Sequence, residues 1–315
     1  MERTRIVLDV DTGVDDALAI LYALRSPHLE VLGITTCFGN VDVDQATRNT
    51  LCLVELCGAD VPVFRGADRP ILREWSGPVP WIHGEDGLGD TRLAEPHRRA
   101  EEQDAAAFIR ETIRRYPGEV VLVPVARMTN VARAFLFDPD LARLVRGVVF
   151  MGGAAFCPGN VTAVAEANLW GDPEAAAIVL RSGAPLTMVG LDVTMQARLT
   201  EGDLARIDPG LPYARVIRDA VSFYMNAYEE TQGVKGRWCP LHDPLAVAVA
   251  EDPTLCTTRP YSVRVSCDGI TAGMTVVDAR PHAEGEANVQ VCVEVDAERF
   301  LARFRARIGI AVDKD

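Results

Sequence analysis

Four aspartates crowd one short stretch near the start of the chain: Asp9, Asp11, Asp15 and Asp16 in LDVDTGVDDALAI. Brought together, such carboxylates repel one another, and each resists ionising unless a cation neutralises the group. An aspartate at a helix start can serve as a cap. Capping accounts for one of the four and hardly for all, so the stretch points to a metal or catalytic site. Oxygen donors with no cysteine or histidine beside them favour a hard cation, Ca²⁺ or Mg²⁺, over zinc.

Two later segments carry further polar side chains. GNVTAVAEANLWGDPEAA holds Asn160, Glu166 and Asn168, a set that offers both donors and acceptors and suits the hydroxyls of a sugar. Asp172-Pro173 in the same segment reads as an ordinary helix start, with aspartate as cap and proline at the first helical position. LHDPLA sets His242 beside Asp243. A lone histidine is more often a buried structural residue, and Asp-Pro can again be a cap, but this histidine adjoins a carboxylate.

These segments need a scaffold that brings them to one place. Strand-like runs at Arg5–Val10, Leu29–Thr36, Val61–Phe64, Glu119–Val125, Gly147–Met151 and Leu186–Val189 alternate with helical spacing at Asp15–Leu24, Val43–Leu56, Asp104–Tyr116, Thr129–Phe137 and Pro173–Ser182. The strands are near-continuous runs of valine, isoleucine and leucine, as expected where helices cover both faces of a parallel sheet. The order predicts a single α/β domain over residues 1–315, with a mostly parallel central sheet flanked by helices. Right-handed crossovers place the carboxyl ends of the strands on one rim, where such sheets bind ligands. From Leu199 onward the pattern predicts two or three helices, strands at Tyr261–Cys267, Met274–Val277 and Val289–Val295, and a final helix. The irregular stretch from Gly66 to about His97 is long for a compact domain and reads as a lid or binding loop.

Bulk properties narrow the partners. Hydrophobic residues make up 48% and charged residues 24% of the chain, enough for a sizeable core. The net charge of −13, from 45 acidic and 32 basic side chains, disfavours nucleic acid and anionic membrane and suits a neutral ligand or a bound cation. No run of apolar residues is long enough to span a bilayer, and MERTRIVLDVD shows no signal region. Eight cysteines without a CxxC pair read as reduced core thiols of a cytoplasmic protein.

Together, DVDTGVDDALA, Gly39-Asn40-Val41, HGEDGLG, Met128-Thr129-Asn130-Val131-Ala132, GNVTAVAEAN and LHDPLAV resemble the inosine–uridine preferring nucleoside hydrolase family, in family order from residue 5 to about 250. The ending VCVEVDAERFLARF is similar too. The resemblance implies a calcium-dependent hydrolase that cuts the N-glycosidic bond of ribonucleosides, usually as a homodimer or homotetramer. It implies Ca²⁺ held by Asp11, Asp16, Asp243 and the backbone carbonyl of Thr129. Asp15, Asn40, Asn160, Glu166, Asn168 and Asp243 would grip the ribose hydroxyls, with Asp11 as general base. His83 and His242 would lie near the leaving base, with Tyr228 or Tyr224 as companions and His242 as the candidate acid. Two departures stand out: Ala126-Arg127 replaces the family's Gly-Pro, and Ala167 replaces an aromatic residue, which widens the pocket there.

Two rival readings carry different predictions. A phosphotransfer enzyme of the haloacid-dehalogenase type would use Asp9 as nucleophile, leaving Asp15-Asp16 and HDP without a role. A non-enzymatic nucleoside or ribose binder would keep the metal site without the acid.

Overall fold

In a computed structural model, which describes residues 3–282 and 285–311, the elements follow the expected alternation. The termini of the predicted 1–315 domain lie outside the described residues. In chain order the first half comprises β1 (Thr4–Val10), α1 (Val14–Arg25), β2 (Leu29–Thr36), α2 (Val43–Leu56), β3 (Val63–Arg65), α3 (Pro80–His83), α4 (Ala105–Arg115), β4 (Val120–Pro124), α5 (Thr129–Phe137), α6 (Leu141–Leu144) and β5 (Gly147–Met151). There follow α7 (Ala167–Gly171), α8 (Pro173–Leu180), β6 (Leu186–Val189), α9 (Leu191–Thr194), β7 (Arg198–Thr200), α10 (Glu201–Ala205), α11 (Ala214–Gln232), β8 (Trp238–Pro240), α12 (His242–Glu251), β9 (Cys256–Val265), β10 (Thr275–Asp278), β11 (Val289–Val295) and α13 (Ala297–Ile308).

Nine strands form one sheet in the order β10-β9-β11-β6-β5-β4-β1-β2-β3, and β7 and β8 make a separate antiparallel pair. From β3 across to β11 all neighbours are parallel, while β9 runs antiparallel to both β11 and β10. The chain winds outward from β1 through β2 to β3, then returns to lay β4 on the other side of β1. That reversal opens a crevice at the carboxyl ends of β1 and β4, the place where sheets of this kind bind ligands.

Residue alternation explains the layers. On β1, Ile6, Leu8 and Val10 pack into a core that includes α1, α11, α12 and α13, whereas Val7 faces the core built with α4, α5 and α8. On β4, Val121 and Val123 share the first core and Val120 and Leu122 the second. Both faces of the central strands are thus covered. Residues Val14–Ala23 of α1 are buried all round, which suits a helix held between the sheet and its neighbours rather than on the surface. Truncating a core side chain such as Leu18 or Ile20 to alanine should cost about 2–5 kcal/mol.

Two features of the strands differ from the sequence reading. The strand expected from Tyr261 begins at Cys256. Its early residues pair only with β11, because β10 meets Ser262–Val265; Pro260 therefore stands where one side lacks a partner strand, a position that tolerates proline. The β7–β8 pair was not anticipated. The 66–97 stretch is irregular except for the single turn of α3. All eight cysteines are free, and among the described residues no helix is long and apolar enough to cross a membrane.

Candidate active site

The β1–α1 turn builds the floor of the site. At Gly13 a Cβ would lie 2.6 Å from His83 Nδ1 and 2.8 Å from Asn40 Nδ2, so only glycine lets these segments meet. From the first turn of α1, Asp16 reaches back. Its Oδ1 accepts from the Asp11 N–H at 3.1 Å, and its Oδ2 accepts from the Gly13 N–H and from Asn40 Nδ2, both at 3.0 Å. Asp11 Oδ2 accepts from the Asn40 N–H at 2.6 Å and from the guanidinium of Arg127. The start of α12 adds Asp243, and oxygens of Asp15, Asp16 and Asp243 all lie within 4.8 Å of one another. The N-termini of α1 and α12 both approach this acidic group, and their dipoles favour negative charge.

Local satisfaction stops there. Oδ1 of Asp11 and Oδ1 of Asp15 are buried with no hydrogen-bond partner. Burial, followed by the charge of Asp11, pushes the Asp15 carboxyl up to about 7. Burial also raises Asp11 against the opposing pull of Arg127, and burial with neighbouring carboxylates drives Asp16 and Asp243 well above the usual range. Carboxylates crowded in this way call for a cation. Anionic oxygen donors, two of them orphaned, fit a hard divalent ion.

Asp9 does not join this group. Its Oδ1 accepts from Thr35 Oγ1 at 2.6 Å and Asn130 Nδ2 at 2.8 Å, tying β1 to β2 and α5. It is buried and does not line the cavity, so the phosphotransfer reading loses its nucleophile. Thr129 is also elsewhere. It is the first residue of α5, its hydroxyl donates to Asp172 Oδ2 at 2.7 Å, and it does not line the cavity. As the first residue of α5 it has a carbonyl placed to accept within the helix, and the nearby residue that lines the cavity beside Arg127 is Val125. Asp172 caps α8 as expected, through Ala175 N–H, and adds bonds from Thr129 and Ile71.

Above the cluster opens a cavity of about 340 Å³. All the residues expected to meet substrate line it: Asp15, Asn40, His83, Asn160, Glu166, Asn168, Tyr228 and Asp243, along with His242. Asp11 and Asp16 lie buried below, outside the lining. Glu166 caps α7, accepting from Asn168 N–H at 2.8 Å, Gly153 N–H at 2.9 Å and Leu169 N–H at 3.2 Å. Asn168 Nδ2 donates to the carbonyls of Val125 at 2.8 Å and Met151 at 3.2 Å, tying α7 to the ends of β4 and β5. Asn160 is fixed by the Ala167 N–H at 3.0 Å.

On the opposite wall, His83 Nδ1 accepts from the Val14 N–H at 3.1 Å and the ring stacks on Tyr224 at 5.4 Å. Burial, with Arg127 and His242 nearby, lowers its pKa to about 3; the neutral ring with Nδ1 accepting carries its proton on Nε2. His242 uses both ring nitrogens, Nδ1 with Thr194 Oγ1 at 2.6 Å and Nε2 with the Tyr228 hydroxyl at 2.7 Å. Tyr224 donates to Tyr228 at 3.3 Å. Sequence reading assigned no role to Arg127, Thr194 or Val125. For Arg127 the available signal was a charged residue just past the end of a buried strand; Thr194 gave none.

A candidate cation site beneath a polar cavity, at the reversal point of a doubly covered parallel sheet, defines the class of α/β protein to which this chain should be compared. The chain belongs to the inosine-uridine preferring nucleoside hydrolase family, whose model matches residues 6–302. It is an enzyme of the ribonucleoside hydrolase class, which cleaves N-glycosidic bonds. It is 38% identical to uridine nucleosidase 1 of Arabidopsis thaliana, over 96% of this chain and 93% of the relative. Identity to the inosine-uridine preferring nucleoside hydrolase of Crithidia fasciculata is 37%, over 94% of each chain. Among solved structures, the purine-preferring ribonucleoside hydrolase from Gardnerella vaginalis superposes with a TM-score of 0.91 at 41% identity, covering 97% of this chain and 98% of that one.

Proposed function

We propose that the protein hydrolyses ribonucleosides to ribose and free base with Asp11 as general base and a calcium ion in the acidic cluster. The observation that carries this reading is the pair of orphaned buried oxygens on Asp11 and Asp15 below a cavity lined by Asn40, Asn160, Glu166 and Asn168. Asp11, Asp16 and Asp243 would hold the ion, with Asp15 beside it. When bound, a hard dication there supplies Lewis-acid activation of water.

The protein's own groups supply the rest. Asp11 takes the proton of the attacking water as its oxygen bonds to C1′. Asp15, Asn40, Asn160, Glu166 and Asn168 orient the ribose through its hydroxyls, and the surrounding carboxylates favour the positive charge that develops on the ring. The departing base leaves as a neutral species only if it gains a proton or strong hydrogen bonds. His83, with Nε2–H as its remaining donor, and Tyr228 stand on that wall. Both nitrogens of His242 are engaged, and burial lowers its pKa to about 3. The neutral ring therefore holds the Tyr228 hydroxyl in place rather than giving up a proton, and Tyr228 and His83 hydrogen-bond the departing base. Eight free cysteines support a cytoplasmic setting.

The test is base release from inosine, adenosine, guanosine, uridine and cytidine, with 2′-deoxynucleosides alongside and the metal content measured. Ribonucleosides should exceed their deoxy counterparts on the order of 10⁴-fold in kcat/KM, because groups built to meet a hydroxyl are left unpaired without it. Equal rates on uridine and deoxyuridine would remove the ribose assignment, and stoichiometric zinc in place of calcium would remove the ion assignment.

A further inference from the structure

Arg127 is buried, with 7% of its side chain exposed, yet it lines the cavity. Its Nη1 donates to Asp11 Oδ2 and sits 3.4 Å from both Asn40 Oδ1 and Asn168 Oδ1. Two glycines make the slot it occupies. A Cβ at Gly171 would lie 2.6 Å from Arg127 Nε and 2.8 Å from its Cγ, and a Cβ at Gly39 would collide with Nη1 and with Asp11 Oδ2. Neither glycine has positive φ, so what the missing side chains provide is space. Nε has no hydrogen-bond partner. A buried guanidinium with an unsatisfied donor is costly, and here it is bonded to Asp11, one of a group of four buried carboxylates with Asp15, Asp16 and Asp243.

We propose that Arg127 is a resident counter-cation of the acidic cluster: it holds Asp11 in place when no metal is bound and limits how tightly the cluster binds a divalent ion. This rests on the metal part of the proposed function. Two like charges sharing one site repel, so metal affinity is traded against stability of the metal-free fold. Arg127 is a positioning residue in this role, acting on the reaction through Asp11.

The test uses the full chain, stripped of metal and then titrated with CaCl₂ in a calorimeter, together with melting of metal-free and Ca²⁺-loaded protein. Arg127→Gln should bind Ca²⁺ roughly tenfold more tightly or better, from the lost charge repulsion, and should lower the melting temperature more in the metal-free state than in the loaded state. Arg127→Lys, which keeps the charge, should stay near wild type in both readouts. In metal-free protein the double variant Asp11→Asn/Arg127→Gln should recover much of the melting temperature lost by Arg127→Gln, because it removes the carboxylate that the arginine neutralises. Equal losses in both metal states with unchanged affinity, or no recovery in the double variant, would reduce Arg127 to a packing residue and overturn the proposal. If Arg127→Gln does not fold, the double variant decides: folding supports the proposal and failure overturns it. If no form binds Ca²⁺, the ion assignment above fails, while the metal-free double-variant comparison still decides the role of Arg127.

Discussion

At its N-terminal end α12 carries Asp243 into the group with Asp11, Asp15 and Asp16; at its C-terminal end, about 15 Å away for a ten-residue helix, Glu251 and Asp252 meet the arginines of α13. The carboxylates at the far end are matched. Arg307 Nη2 bonds Glu251 at 2.6 Å, Arg303 Nη2 bonds Asp252 at 2.7 Å, and Arg299 also reaches Asp252. Nearby, buried Asp203 accepts from Arg305 Nε at 2.8 Å, Arg206 Nη2 at 2.9 Å and Thr200 Oγ1 at 2.8 Å. At the near end four carboxylates crowd together, Asp11 alone among them is bonded to a guanidinium, and two oxygens have no hydrogen-bond partner. Acidic side chains that are neutralised in place fasten one element to another. Those left in excess are held there by the fold for something that arrives from outside.

The sharpest way to break this comparison is at Asp11. Asp11→Asn should lower kcat by about 10²–10⁴, the span of a positioned general base, with bound metal measured on the same preparation. Turnover at the wild-type level with metal retained would take Asp11 out of the chemistry and leave the near cluster as structural as the far one.

Sequence and structure agree most closely where the signal is local. DVDTGVDDALA fixes a strand end, a glycine turn and a helix start within a dozen residues, and the structure places them as the spacing requires. The alternating strands and helices were legible for the same reason, since burial on both faces leaves continuous apolar runs. What spacing cannot reveal is which side chain arrives from far along the chain. Arg127 meets Asp11 across 116 positions, and Thr194 meets His242 across 48. Thr129 shows the converse limit. Val125 lines the cavity, whereas Thr129, already the first residue of α5, does not. The matched arginines of α13 were equally hidden, because the final helix reads as an amphipathic surface helix whichever acids it faces.

A smaller effect is expected at the matched end. Asp203→Asn leaves Arg305 and Arg206 with weakened acceptors in a buried position, and should destabilise the protein by about 1–3 kcal/mol with kcat within about twofold of wild type. Denaturant melts and steady-state rates on one sample check both halves. A variant that kept its stability and lost its turnover would invert the assignment of roles between the two regions.

The smallest effect is in the pH dependence of the far end, and its sign follows from Asp252. Burial works to raise this carboxyl, but hydrogen bonds from Thr254 and Arg303, with the charge of Arg299, outweigh it and hold the group at about 2 in the folded chain. In the unfolded chain an aspartate titrates at about 3.9. The unfolded state therefore binds its proton first as pH falls, and the linkage is destabilising on acidification. The contribution of Asp252 is fully present above about pH 4 and is lost progressively as pH drops toward 2. The Asp252 side chain is 21% exposed and its arginine partners are more so, and solvent screens the interaction, so the expected signal is a change of slope and not a collapse. Melting temperature followed from pH 5 to pH 2 should fall less steeply in Asp252→Asn than in wild type, while the two curves run parallel above pH 5. Parallel curves throughout would mean that the arginines of α13 do not favour the ionised form of Asp252, and the far end would then owe its order to packing of Phe300 and Phe304 against Tyr22 rather than to matched charge.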